Sequence, residues 1–254
     1  MRLTLFSILI FLGLFIQGQN LVLDSLAQIR IDELGNIYKI YPQKLVTEKQ
    51  GKIYEYTNRF LGPIHVVDIS NPLRILVYFK ESNTVVFLDN SLSPIGNEIQ
   101  LDEQSLFEIG GICNSEINGF WVFNVLEQRL QFFDSQMNKQ HESRAFNELL
   151  SGEVLVQDLQ MIQKQIYVDV KNKGILVFDM FGAYLKTLPF KTDYAIQISE
   201  PQILYIKENA IRAYHTETLE DKLVFKAESP LLYFRLIGKT LFYQEGKILK
   251  SINK

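Results

Sequence analysis

The sequence predicts an all-β chain: a single propeller, most simply of six four-stranded blades, with the ring closed by its N-terminal strand. Three observations carry that expectation. β-Branched and aromatic residues come in short alternating or continuous runs bounded by Gly, Asn, Asp, Ser or Pro, as at residues 36–40, 74–79, 84–88, 120–123, 165–170 and 203–206. One strand-plus-turn unit recurs along the chain. From Gln19 onward 236 residues remain, about 39 for each of six blades, a length typical of such repeats. Five or seven blades stay open on this arithmetic. Sustained helical periodicity is missing; the best candidate, residues 142–150, could place Phe146, Leu149 and Leu150 on one short face.

The first element is an address. Arg2 precedes an apolar run over residues 3–16, followed by Gln17-Gly18-Gln19-Asn20. A positive start, a short apolar core and a small residue at its end fit a secretory signal peptide over residues 1–18, cleaved after Gly18, with the propeller over residues 19–254. The alternative, an uncleaved anchor, suffers from length, since a spanning helix needs about 20 apolar residues. The single Cys, Cys113, lies far from the cleavage point, so no lipid-accepting Cys sits there.

The next elements are the repeats. Thr84-Val85-Val86-Phe87-Leu88-Asp89 aligns with Arg129-Leu130-Gln131-Phe132-Phe133-Asp134 and with Gly174-Ile175-Leu176-Val177-Phe178-Asp179. Residues 210–216 give a looser copy with His215 in the Asp position, and residues 52–58 and 247–253 give weaker ones. The Asp-equivalent positions 57, 89, 134, 179 and 215 are spaced by 32, 45, 45 and 36 residues. Before several copies lie another strand and a polar turn, so the unit reads strand, turn, strand, Asp, turn, strand. Apolar residues on both faces of the central strands suit sheets packed between two neighbouring sheets. An Asp just past a strand can accept hydrogen bonds from the next turn, which is the reading preferred for Asp89, Asp134 and Asp179. A ring of metal-binding carboxylates would need these side chains to converge, and successive blades hold them apart. The last copy leaves no room for an outer strand after it, and residues 21–26 can supply one.

Composition excludes several functions. With 26 Lys and Arg against 29 Asp and Glu the net charge is −3, and no cationic run marks a nucleic-acid footprint. Eighteen Phe and 12 Tyr at 22% charged residues exclude a disordered chain. One Cys excludes a disulfide framework; Cys113 has apolar neighbours and reads as a small buried hydrophobe. The three His, at 65, 141 and 215, have no metal-ligand spacing. His215 reads as a turn residue and His65 as the start of a blade. No nucleophile elbow, Walker loop or dinucleotide fingerprint occurs. Asp158 and Asp169 could meet in the central channel, yet nothing in the sequence ranks them above solvated carboxylates. No catalytic residue, cofactor or metal is therefore assigned.

Two stretches are candidates for partner binding. Arg59, Phe60, Leu61 and Pro63 form a loop between two blades, combining residue types enriched at interface hot spots; the alternative is that Phe60 and Leu61 pack between blades. Residues 136–152 read as the longest insertion, with Phe146 and Leu149 as its apolar contacts, or as a plain connector.

Two segments carry a resemblance. Asp32-Glu33-Leu34-Gly35-Asn36-Ile37-Tyr38 resembles the D-x-x-G-N-I-Y turn and strand of NHL-type propellers, and residues 177–185 resemble their V-F-D-x-x-G-x-[FY]-L unit. The corresponding turns at Asn90-Ser91-Leu92 and Ser135-Gln136-Met137 lack the Gly. Residues 59–73 are similar to exported propellers of Bacteroidota, among them the plug subunits of the type 9 secretion translocon, which close its periplasmic side. The signal peptide, the repeat architecture and the absence of catalytic signatures lead to an exported, non-enzymatic protein, periplasmic or failing that secreted, docking through one face onto a protein partner in an envelope complex. The resemblance implies that the partner is an outer-membrane assembly with which the protein associates peripherally. It would have no direct membrane anchor after cleavage. The rival expectations are an enzyme acting on a sugar or lactone in the channel, marked by clustered buried carboxylates, and a small-ligand module, marked by a deep apolar pocket.

Overall fold

The computed structural model describes residues 21–23, 27–192 and 196–253. The expected signal peptide over residues 1–18 lies outside them. Twenty-four strands form six antiparallel four-stranded sheets, each a blade. Blade I is β2 (Gln28–Ile31), β3 (Ile37–Tyr41), β4 (Lys44–Lys49) and β5 (Lys52–Thr57). Blade II is β6 (Ile64–Asp68), β7 (Ile75–Phe79), β8 (Thr84–Leu88) and β9 (Ile99–Gln100). Blade III is β10 (Ile109–Ser115), β11 (Gly119–Asn124), β12 (Arg129–Asp134) and β13 (Lys139–Glu142). Blade IV is β14 (Val156–Ile162), β15 (Gln165–Val170), β16 (Gly174–Asp179) and β17 (Tyr184–Leu188). Blade V is β18 (Gln197–Ser199), β19 (Gln202–Lys207), β20 (Ala210–His215) and β21 (Asp221–Lys226). Blade VI is β22 (Leu231–Ile237), β23 (Thr240–Glu245), β24 (Ile248–Asn253) and, as its fourth strand, β1 (Leu21–Val22).

The ring closes through the start of the 21–26 segment, as expected: Leu21 pairs with Leu249 and Val22 with Ile248. The Leu23 N–H continues the contact by donating to the Lys247 carbonyl at 2.7 Å. The first strand of each blade faces the axis, and β10 there packs against both β6 and β14. Six hydrophobic clusters fill the six blade interfaces, so each sheet is covered on both faces. That is why β7, β8 and β11 are buried along their whole length.

The Asp residues cap turns. The Asp89 Oδ1 accepts the N–H groups of Ser91 and Ser93, and Asp134 and Asp179 treat the second and fourth residues after them alike, all within 2.8 to 2.9 Å. Asp32 makes the same turn in the first hairpin, accepting from Leu34 and Asn36 at 3.0 and 2.8 Å. His215 substitutes its Nδ1, which accepts from Glu217 and Thr218 at 3.3 and 3.2 Å. Gly35 and Gly182 adopt the positive φ this turn requires; Leu92, Met137 and Leu219 adopt it with a side chain, so the geometry outlasts the glycine.

Three expectations need correction. The weak repeat at residues 52–58 is the fourth strand of blade I; the third is β4, one hairpin earlier. Third strands therefore begin at 44, 84, 129, 174, 210 and 248, which removes the short 32-residue spacing. Residues 142–150 form only a single 3-10 turn, Phe146–Glu148. Residues 136–152 do not interrupt the repeat as an insertion: they contain β13, the fourth strand of blade III, and only the remainder runs on to blade IV.

Candidate functional site

Strand direction alternates within each blade, so the connections fall on two faces. One carries the first-to-second and third-to-fourth turns, and is here the turn face. The other carries the second-to-third turns and the links between blades, and is the loop face.

Residues 58–63 link blades I and II on the loop face. The Asn58 side-chain oxygen accepts the N–H groups of Phe60 and Leu61 at 2.9 and 3.3 Å, fixing the chain reversal. Its amide nitrogen donates to Glu98 at 3.1 Å. Consecutive apolar residues on a tight bend cannot both turn inward. Leu61 does, joining the cluster between blades I and II, and Phe60 is left 97% exposed beside exposed Arg59. Gly62 then adopts φ +85°, where a Cβ would lie 2.7 Å from a Glu81 carboxylate oxygen. After Pro63 the Ile64 N–H donates to the Pro42 carbonyl at 2.5 Å. The loop thus holds its phenylalanine in solvent by a polar cap, a buried leucine and a glycine.

The second candidate stretch behaves differently. Phe146 is fully buried, 4.8 Å from Phe123 and stacked 5.2 Å from Phe178 in ring-centroid distance. Leu149 packs against the same cluster. These two side chains complete the core between blades III and IV, and Phe146 has no surface to offer a partner. The sequence of this stretch did not reveal it, because the rings that bury Phe146 lie far away in the chain.

Other apolar side chains are exposed on both faces. Leu34, Leu73 and Leu219 sit singly at tips on the turn face, and Phe181 there lies edge-on to His141 of blade III at 5.2 Å. On the loop face are Phe107, Leu126, Leu155 and Leu232. Loop 58–63 packs through Gly62 on the residue 80–83 turn of blade II, and Asn83 of that turn donates to Asp102 and to the Leu106 carbonyl at 2.5 and 2.6 Å. Phe60 and Phe107 therefore flank one shared turn.

The channel holds a polar group. Asp158 on β14 lies opposite Asp169 on β15. Asp158 accepts from Gln160 Nε2 at 2.5 Å and from the Leu159 N–H at 3.1 Å. Asp169 accepts from Thr192 at 3.0 Å and Gln157 at 3.4 Å. Burial raises both carboxyls, and with the Asp158 charge adding to it Asp169 is pushed up to about 6. The Arg30 guanidinium opposes the rise at Asp158. Arg30 belongs to blade I, diametrically across the ring from blade IV, so the two charges see each other through the channel. Among the described residues no three His, Cys, Asp or Glu side chains are grouped to hold a metal. Cys113 is wholly buried, and burial pushes its thiol far above the range of a reactive thiolate. His65, on the inner strand β6, lies edge-on to Tyr78 at 6.1 Å, and burial lowers its pKa. No helix among the described residues is long and apolar enough to cross a membrane.

No protein-family model and no curated protein sequence matches the chain. Solved structures do. Streptogramin B lyase superposes with a TM-score of 0.64 at 14% identity, covering 94% of this chain and 87% of that one. BamB from Moraxella catarrhalis gives 0.55 at 10% identity, over 88% of this chain and 81% of that one. The extracellular domain of a hybrid two component system from B. thetaiotaomicron gives 0.61 at 12%, over 89% of this chain and 33% of that one. At such identities the likeness concerns the propeller fold, which hosts catalysis in a lyase and is not named for a reaction in the other two.

Proposed function

We propose that the chain is an exported, non-enzymatic propeller that docks through its loop face onto a protein partner in an envelope complex, at the outer membrane and in the service of protein secretion. The observation that carries this reading is Phe60, 97% exposed on a loop whose conformation is already fixed by Asn58, Leu61 and Gly62. A rigidly presented aromatic loses little conformational freedom on binding, which makes it an efficient anchor. Arg59 beside it supplies a second residue type favoured at interfaces, and Leu61 and Pro63 serve as its scaffold.

The test is purification of the tagged full chain from mild-detergent-solubilised envelopes, with native mass and partner identification, beside the Phe60→Ser variant. A stoichiometric envelope partner, lost in Phe60→Ser, is expected. A free monomer in the soluble envelope fraction sinks the reading. Sequencing of the mature N-terminus, expected at Gln19, tests the export step.

The rival reading is catalysis in the channel on a sugar or lactone, and buried Asp169 beside half-buried Asp158 favours it, since a carboxyl raised toward neutrality suits proton transfer. Hydrolysis of such a substrate by the wild type and its loss in Asp169→Asn would put this reading first.

A further inference from the structure

A second patch, one blade along from Phe60, has a distinct chemistry. In the link from blade II to blade III the 3-10 turn Leu101–Gln104 is followed by Ser105 at φ +59°. Leu101 and Leu106 enter the core between those blades, and Phe107 turns outward, 63% exposed. The Glu108 carbonyl accepts the Val125 N–H at 3.0 Å, which lays the β11–β12 turn alongside and sets Leu126, also 63% exposed, in the same region. Exposed Asp102, Glu103, Glu108 and Glu127 stand on the same two segments, and residues 101–108 and 125–128 contain no Lys or Arg. Of the cations that border them, Lys80, Arg129 and Arg144, Arg129 is engaged by Glu142 and the Ser143 carbonyl. The frame is stiff: Asn83 bonds Asp102 and the Leu106 carbonyl and accepts from the Tyr78 hydroxyl at 2.9 Å. Glu127 accepts from Gln131 at 2.8 Å and Asn124 at 3.2 Å. The acidity is local, because the equivalent turn of blade IV carries Lys171 and Lys173.

We propose that this patch receives a segment of a partner protein in which Lys or Arg residues are interleaved with aliphatic or aromatic ones. The apolar pair gives such a segment its contact, and the four carboxylates give it a complementary field that speeds association and rejects anionic surfaces. A second copy of this chain seated here by its own patch would bring the carboxylates face to face. The assignment rests on residues separate from the Phe60 loop, so either can fail without the other.

The experiment is fluorescence anisotropy of a short fluorescein-labelled peptide built from Lys, Leu and Phe, titrated with the full chain at low and high salt. Binding that weakens with salt is expected, as is a loss of roughly tenfold or more in both F107S/L126S and E103Q/E108Q. F60S and, on the opposite face, L219S/E217Q/E220Q should bind as the wild type does. Thermal melting checks each fold, and E103Q/E108Q, which removes no core atom, decides should F107S/L126S melt early. Equal weakening in the opposite-face variant would reduce the effect to overall charge and overturn the proposal. So would undiminished binding by E103Q/E108Q, or sedimentation in which F107S/L126S dissociates a wild-type dimer.

Discussion

Between blades III and IV fourteen side chains are buried in one cluster, with Trp121, Phe132, Phe123, Phe146 and Phe178 as its bulk. Between blades VI and I, among the described residues, four are: Leu23, Ile29, Ile31 and Leu249. Leu21, Ile37, Tyr233, Ile237 and Phe242 pack against these only partly buried, and polar contacts add to them. The Tyr233 hydroxyl accepts the Ile31 N–H at 2.8 Å, and the Arg30 guanidinium lies 5.9 Å from the Tyr233 ring centre. The two interfaces have the same topology and different physics. One is held by large rings excluded from water, the other by a smaller, partly exposed apolar set with a short strand and a few directional bonds. The ring should therefore open at the seam where its ends meet well before it melts at its aromatic side.

The most severe way to break the comparison is Phe178→Ala. Removing a fully buried ring stacked on Phe146 should cost about 3–5 kcal/mol in chemical denaturation. Leu249→Ala at the seam should cost about 2 kcal/mol, the lower end for such a truncation, because fewer atoms surround it. Hydrogen exchange sharpens the contrast. In Leu249→Ala the β22–β24 amides should exchange far faster and the β11–β12 amides hardly change; uniform acceleration would mean that the ring opens as one unit.

Asp169 loads the thick half with a cost of its own. Its pKa rises from 3.8 to about 6 on folding, so its charged form is disfavoured in the native state. Stability from this group is complete below its ordinary value and is lost as pH rises through 6. Asp169→Asn should then gain on the order of 1–2 kcal/mol above pH 7 and flatten the pH 4–7 stability profile measured by urea titration. A variant with an unchanged profile would relocate the titration to Asp158. The smallest expected effect is at the turns. Leu219, exposed at φ +60°, occupies in blade V the place that Gly182 holds in blade IV. Leu219→Gly should gain no more than about 1 kcal/mol, readable as a slightly higher Tm, since relief of the left-handed strain is partly offset by unfolded-chain entropy.

Legibility in the sequence followed the range of the interactions. The Asp89, Asp134 and Asp179 turns were readable because a carboxylate bonds backbone two and four residues on, a purely local event. In blade I the sequence reads one strand too late because β4 and β5 alternate alike, and the residues after β4, Gln50 and Gly51, carry no Asp to mark the turn. Of the pair Phe60 and Leu61, the sequence identified the loop but not which ring or chain would face water. That choice is made by Asn58 in sequence and Glu81 in space. Phe146 reads from the sequence as a contact residue because the rings that enclose it come from β11 and β16. Asp158 and Asp169 are named by the sequence as able to meet in the channel, and they do face each other there; what it cannot show is the influence of Arg30, which comes from the opposite side of the ring.

The pairing of β1 with β24 also bears on the order of synthesis. Leu21 and Val22 leave the ribosome ahead of every other strand described, yet their hydrogen-bonding partners Ile248 and Leu249 follow after almost the entire chain. The contact with the largest sequence separation must form late, and loop closure on that scale slows folding. A polypeptide interrupted anywhere before residue 248 is left with its earliest strand unpaired. Closing the circle thus waits until synthesis has passed Leu249.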